Sequence, residues 1–467
     1  MSHFASLPPE IIYHIGSHLS IADNKSLRHV CQYISQVVEP LALFSLTFCL
    51  KDSILHLYAK KLNAYAERTT RAAAHVRKLA VISQDQLTDF HHVHAEERRN
   101  KTIARYHGTP VAPPANYQQL LEAFLNILLS LDKVITFDWY LDYDMSEPVV
   151  SNIFTFVSSP SIKKLKITFN RPALVTDSLV HFDHPWTVRE LVLTGFAPIH
   201  SARTRGGTVQ LAELSRRLIA NCPDLEHLSL QTLFSEANGD APRLHDFLPH
   251  DASNSAGITT KPPLRLKSLS MSNLRMHLNQ AMLYHLRSLQ HLHVRFPLTT
   301  PERDGDPISM IMRTLRTEKI HLRGLNLNTP DVENEVIEYL LSYSNTGTIQ
   351  EIAFENKNER TYIDAQDASI IAERFFGEVL PGVAGSLRSL NITTIDRSDS
   401  WSFNPLYSES IKLCHKLESL CLSVDGEAND NAEEVLKATK RHLPRLLSLE
   451  IDHIRSVGGG LDITSIW

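Results

Sequence analysis

Residues 266–294 read LKSLSMSNLRMHLNQAMLYHLRSLQHLHV. The stretch begins and ends on the same hexamer: an apolar residue, two variable ones, then leucine, a variable residue and an apolar one. It appears as LKSLSM from Leu266 and again as LQHLHV from Leu289. Positions 4 and 6 of a hexamer share one face of a short strand, and positions 3 and 5 share the other. Between the two hexamers, Met282, Leu283, Leu286 and Leu289 recur at helical spacing. Strand, helix, strand in the same sense is a parallel crossover unit. A unit this short cannot bury its own leucines and needs a similar unit on each side.

Those neighbours are present in the sequence. The hexamer reads VRKLAV from Val76, IKKLKI from Ile162, VRELVL from Val188 and LEHLSL from Leu225. After LKSLSM and LQHLHV come LRGLNL from Leu322, IQEIAF from Ile349, LRSLNI from Leu387, LESLCL from Leu417 and LLSLEI from Leu446. A degenerate copy, LDKVITF, begins at Leu131. Helical-period segments precede several copies. One is Leu211, Leu214, Leu218, Ile219 and Cys222, which Pro223 terminates. Eleven copies at quasi-regular intervals exceed what chance gives a leucine-rich chain.

The pattern resembles the leucine-rich-repeat solenoid, an α/β array with parallel strands on a concave face and helices outside, here covering residues 76–467. Two departures predict an irregular horseshoe. Several units exceed the usual length. The family's Asn or Cys position, three after the hexamer, is apolar at Phe196, Leu233, Leu274, Ile395 and Ile454, and Asn at Asn170. Polar, Pro/Gly-rich stretches near 91–117, 234–263 and 297–307 read as insertions. The register places Leu228, Leu269, Leu292, Leu325, Leu390, Leu420 and Leu449, all at position 4, in the core.

The first fifty residues have a different pattern. Leu7-Pro8-Pro9-Glu10 is a helix start, with proline where a missing N–H is harmless and an acid in the first turn. Ile11, Ile12, Ile15 and Leu19 follow along one broad face. Asp23 is the expected N-cap of a second helix carrying Leu27, Val30, Cys31 and Ile34. A third segment carries Val37, Val38 and Leu41. Three short helices cannot hide this much apolar surface among themselves.

The stretch LPPEIIYHIGSHLS…LRHVCQYISQVVEPLAL is similar to the F-box, with Leu7, Pro8, Glu10, Ile11, Ile15, Leu19, Asp23, Leu27, Val30 and Cys31 at its signature positions and Tyr33 where the family often has Trp or Phe. With repeats behind it, the chain resembles the F-box/leucine-rich-repeat proteins of the irregular fungal kind. The organisation this implies is a small three-helix F-box over residues 1–50, a helical linker over 51–75, and the solenoid over 76–467. The resemblance also implies a role: a substrate-recognition adaptor of a Skp–cullin–F-box ubiquitin ligase in ubiquitin-dependent degradation. The F-box would bind a Skp-type adaptor, and through it a cullin–RING ligase, by Leu7, Pro8, Ile11, Ile15, Leu19, Leu27, Val30 and Cys31. The repeats would bind a protein substrate. The alternative is a non-catalytic scaffold that uses its F-box outside a ubiquitin ligase.

Positions 3, 5 and 7 of the strands are the expected substrate surface, and their charge changes along the chain. Lys78, Lys164 and Lys166 come early; His227, His291, His293 and Arg295 lie in the middle; Glu351, Glu355, Glu450 and Asp452 come late, with Glu190 out of order. The expected match is a substrate with an acidic part over the first units and a basic part over the last.

Composition excludes other classes. The chain has 467 residues, 43% of them hydrophobic and 21% charged, with 47 basic and 52 acidic residues and a net charge of −5. That is too long for one core, and it supplies no global basic field for nucleic acid. No apolar run reaches the roughly 18 residues of a membrane span, and the N-terminus lacks a secretory pattern. Five scattered cysteines without a CxxC pair fit reduced thiols in the cytoplasm or nucleus. Neither His91-His92-Val93-His94, in a charged, Pro-rich stretch, nor Asp142 with Asp144 has the spacing of a metal or acid–base site. Cys222 and Cys414 occupy core positions, while Cys421, at position 5, faces outward. No GxSxG, HExxH, P-loop or GxGxxG occurs. The expectation is a protein that is not an enzyme and needs no cofactor.

Overall fold

The protein is described by a computed structural model. It covers residues 6–50, 62–67, 71–83, 117–128, 130–141, 147–169, 185–196, 205–233, 243–249, 262–274, 276, 278–295, 308–328, 332–356, 365–394, 400–425 and 431–454. Three helices come first: α1 (Pro9–Ser17), α2 (Ile21–Leu27) and α3 (Gln32–Ala42). Thirteen strands follow. They are β1 (Ser45–Leu50), β2 (Lys78–Ser83), β3 (Thr136–Leu141), β4 (Lys164–Phe169), β5 (Glu190–Phe196), β6 (His227–Leu233) and β7 (Ser268–Ser272). The rest are β8 (His291–Arg295), β9 (Gly324–Asn328), β10 (Glu351–Asn356), β11 (Ser389–Thr394), β12 (Ser419–Val424) and β13 (Ser448–His453). Strand order is sequence order. The chain divides into two compact units, the first mainly Met1–Leu225 and the second mainly His250–Trp467.

Each strand coincides with a hexamer, and the pairing is parallel and in phase. Leu325 of β9 faces Ile352 of β10, which faces Leu390 of β11, which faces Leu420 of β12. One carbonyl per repeat sets this register. The position-2 carbonyl accepts from two successive amides of the next repeat: Arg323 oxygen from Gln350 and Glu351, Gln350 oxygen from Arg388 and Ser389, Arg388 oxygen from Glu418 and Ser419. The same fork recurs in the first unit, at Arg77, Ile135 and Lys163.

Positions 1, 4 and 6 form the core. In the second unit Leu269, Leu292, Leu325, Leu390 and Leu420 are fully or almost fully buried, as are Met271, Val294, Leu327, Ile392 and Leu422. In the first unit aromatic residues take three of these places, Phe48, Phe137 and Trp139. Phe137 meets Phe156, and Trp139 meets Phe154, from the helix Glu147–Val157 that follows β3. Connecting helices bury their apolar stripe against the strands, as Arg205–Ala220 does with Leu214, Leu218 and Ile219. Buried side chains satisfy backbone groups that the crossovers leave over. The Tyr339 hydroxyl accepts from Leu322 N–H (2.9 Å) and donates to the Ile320 carbonyl (2.7 Å), and His285 Nδ1 accepts from Leu264 N–H (3.1 Å).

The structure corrects four readings. The sheet begins at β1, before residue 76: Ser45 pairs with Lys78 and Phe48 with Val81. Its hexamer, LFSLTF from Leu43, follows α3 directly, so no linker separates the helices from the first strand. The linker range does contain helical turns, at 62–66 and at Arg71–His75, and α3 packs on the latter. The repeat near Leu131 is VITFDW from Val134, because Leu79 faces Phe137 and Val81 faces Trp139. The stretch 234–263 is not wholly an insertion, since Leu244, Phe247 and Leu248 form a buried turn. Leu449 is only half-buried, because β13 has a neighbour on one side alone among the described residues. Residues 91–116 and 297–307, with His91, His92, His94, Asp142, Asp144, Asn170 and Ile395, lie outside the described residues.

Candidate functional site

In the N-terminal helices, Pro8 precedes the first turn with Pro9 at its start and Glu10 beside it. The second helix is capped by Ser20, not Asp23. Ser20 Oγ accepts from Asp23 N–H (3.1 Å) and donates to its carboxylate (2.7 Å), an N-cap in which Asp23 is the third helical residue. The turn between α1 and α2 is held by buried Asn24, whose Nδ2 donates to the Gly16 carbonyl at 2.8 Å. Gly16 permits this approach, since a Cβ there would lie 2.8 Å from Leu41 Cδ1 and 3.0 Å from Asn24 Oδ1.

The bundle closes on Ile12, Ile34 and Val38, with Leu7, Leu27, Cys31 and Val37 packed against them. The eight expected adaptor contacts therefore divide. Leu7, Leu27 and Cys31 lean on the internal core and Ile15 is half-buried, while Pro8, Ile11, Leu19 and Val30 face solvent. Val30 is 58% exposed and Ile11 47%. The structure adds Tyr13, Ile21 and Tyr33 to the exposed apolar set, and the Tyr33 hydroxyl donates to the Leu7 carbonyl. Tyr13 lines an open groove with Pro9, Glu10, His14 and Val37, and helical spacing does not place it with Ile11, since residues two apart do not share a face. A surface of this kind can bury apolar side chains of another protein.

The second candidate surface is the side of the strands carrying positions 3 and 5. In the first unit its charges pair across strands: Lys164 with Glu190 (2.6 Å) and Lys78 with Asp138 (3.1 Å). Glu190, out of order in the charge sequence, is the partner of the lysine one strand earlier. Lys166 is exposed two positions further along β4, facing Asp138 of β3 in register. In the second unit His227 is exposed on β6. His291 Nδ1 lies 3.6 Å from Glu351, and Glu355 accepts from Asn328 Nδ2 at 3.1 Å. His293 and Arg295 continue β8, both exposed by area. Surrounding protein lowers the His293 pKa below the ordinary histidine value; Glu355 opposes this and Arg295 adds to it. Glu450 and Asp452 are exposed on β13.

Burial pushes the Cys222 thiol up, and that of Cys414 up to about 12, so both are inert core groups. Cys421 is half-buried. Among the described residues no group of three His, Cys, Asp or Glu could hold a metal ion, and no helix is long and apolar enough to cross a membrane.

No family model matches the chain, and no curated protein matches it. Among solved structures it is similar to one described as "Crystal structure of Rad7 and Elc1 complex in yeast", with 14% identity over 95% of this chain and 90% of that one and a TM-score of 0.39.

Proposed function

We propose that this chain is the substrate-recognition adaptor of a Skp–cullin–F-box type ubiquitin ligase. The helices α1–α3 bind a Skp-type adaptor, and the strand surface binds the protein to be modified. The observation that carries the reading is the F-box-like sequence of residues 7–43 together with its exposure: the bundle completes its own core and still leaves Ile11, Leu19 and Val30 in water. The chain performs no bond chemistry in this role. It raises the local concentration of substrate lysines near a ubiquitin-charged enzyme by tethering both.

The test is co-purification of the full-length chain with a Skp-type adaptor, comparing wild type with the double variant Ile11→Asp, Val30→Asp. Both side chains are exposed, so thermal unfolding should stay unchanged. A truncated interface anchor costs about 2 kcal/mol or more, roughly thirtyfold in affinity, so the variant should lose the adaptor. Undiminished capture by the variant would sink the proposal. Capture without ubiquitin transfer to any bound protein would favour the scaffold alternative.

A further inference from the structure

The turns that lead into β12 and β13 gather cations. Before β12 stand His415 and Lys416, after the helix Ser408–Lys412. Before β13 stand Lys440, Arg441, His442 and Arg445, after the helix Ala432–Thr439. All six side chains are exposed. The register sets the two turns side by side: Ser419 pairs with Ser448, so Lys416 and Arg445, each three residues earlier, hold the same place in successive repeats. The Glu418 carbonyl accepts from Leu447 N–H and Ser448 N–H and ties the turns together, one strand spacing or about 5 Å apart. The two helices also pack on each other.

These charges are open. Nearby cations are matched: Arg388 to Glu418, Lys412 to Glu409 and Lys437 to Glu433. Among the described residues Lys416, Lys440, Arg441 and Arg445 have no carboxylate partner. The acids of the same turns are taken, Glu418 by Arg388 and Glu409 by Lys412 and, more weakly, His442. The dipole of the helix Ala432–Thr439 accounts for Lys440 and Arg441 at its end. It does not account for Lys416 and Arg445, which stand beyond the helical turns. Like charges without counter-charge repel one another, so folding alone gives no reason to gather them. An apolar side chain lies among them. Position 2 of the hexamer is a charged or amide residue in the ten other clean copies, from Arg77 to Glu418, and Leu447 in the last. Leu447 is 86% exposed, and Leu413, in the turn before β12, is 48% exposed.

The geometry points to a docking surface on these two turns for an acidic protein segment that carries an aliphatic side chain among its carboxylates. The carboxylates meet Lys416, Lys440, Arg441 and Arg445, and the aliphatic side chain covers Leu447. Charge complementarity sets encounter rate and register, and covering the leucine adds hydrophobic burial. Nucleic acid is the poorer match, because residues 412–418 and 437–447 hold no Phe, Tyr or Trp for a base to stack on. The surface lies wholly within the second unit and does not depend on the ligase reading.

The test is selection of a displayed random peptide library on the immobilised full-length chain, with oligothymidylate and phosphatidylserine vesicles measured as rival ligands. Wild type should enrich peptides that combine Asp or Glu with an aliphatic residue. The double variant Arg441→Glu, Arg445→Glu should retain those peptides about tenfold more weakly or worse, equivalent to about 1.4 kcal/mol. If its thermal unfolding departs from wild type, Lys416→Glu with Lys440→Glu carries the comparison instead. Leu447→Ser should keep the preference for acids and lose the preference for aliphatic residues. No enrichment of acidic peptides on wild type, or the same peptides on wild type and a folded charge variant, would overturn the surface. Tighter binding of vesicles or oligothymidylate than of the enriched peptides, abolished in the charge variant, would assign the cations to lipid or nucleic acid and overturn it equally.

Discussion

The three N-terminal helices and the strands of the second unit spend their apolar residues differently. In α1–α3, Ile12, Ile34 and Val38 close a small core while Ile11, Tyr13, Leu19, Ile21, Val30 and Tyr33 stay exposed within twenty-three residues. From β7 to β12, every hexamer buries its positions 1, 4 and 6, and the large exposed apolar residues lie in the connections, as Met310 and Leu406 do. A repeat finds cover in the next repeat, whereas these side chains of the three-helix bundle stay exposed although α3 packs on the turn Arg71–His75. On the proposed reading the uncovered surface of the first region is the adaptor interface, while full burial in the second makes it a scaffold.

The sharpest way to break this comparison is to truncate the scaffold. Leu269→Ala, Leu390→Ala or Leu420→Ala should each cost about 2–5 kcal/mol, measured by urea unfolding. Leu449→Ala, half-buried on β13, should cost clearly less. Equal losses at Leu420 and Leu449 would show that β13 has cover on its open side. In the helices, Asn24→Ala removes the amide that holds the α1–α2 turn and should cost about 1–3 kcal/mol of bundle stability. Hydrogen exchange of α1 and α2 would reveal it while β8–β12 stay protected.

These contrasts were unevenly legible in the sequence. Position-4 leucines could be named in advance because alternation fixes their face wherever the hexamer is clean. Strand β1 was missed because it abuts the helical motif, although LFSLTF has apolar residues at positions 1, 4 and 6. The β3 register slipped by three residues because Leu131, Val134 and Thr136 mimic positions 1, 4 and 6. In the helices, periodicity gave the apolar face but could not divide it. Cys31 and Leu27 turn inward while Val30 turns out, a choice made by how α2 and α3 meet. The cap moved from Asp23 to Ser20 because both are good caps and the turn length decided.

Two smaller effects sharpen the picture. Ser20→Ala should cost about 1 kcal/mol by removing the cap of α2, visible as faster exchange in that helix alone. The smallest effect is on pH. Because the folded His293 pKa lies below the unfolded value of about 6.5, the unfolded chain binds more protons on acidification. Its contribution is complete above about 6.5 and is lost as pH falls through the depressed folded value. Urea midpoints at pH 7 and pH 5 should therefore differ slightly less in His293→Asn than in wild type.

The forked carbonyl at position 2 bears on how this chain tolerates change in length. The intervals between successive hexamers from Ile162 onward run from 23 to 41 residues, yet the strands on either side of long and short connections keep the same phase. Phase is set locally, by one oxygen and two amides, and the connection only has to return the chain to them. Residues added between hexamers leave every fork intact, while a single residue added inside one swaps core and solvent faces for that strand. Length variation in this protein is therefore confined to the crossovers, where new surface can be acquired without renegotiating the sheet.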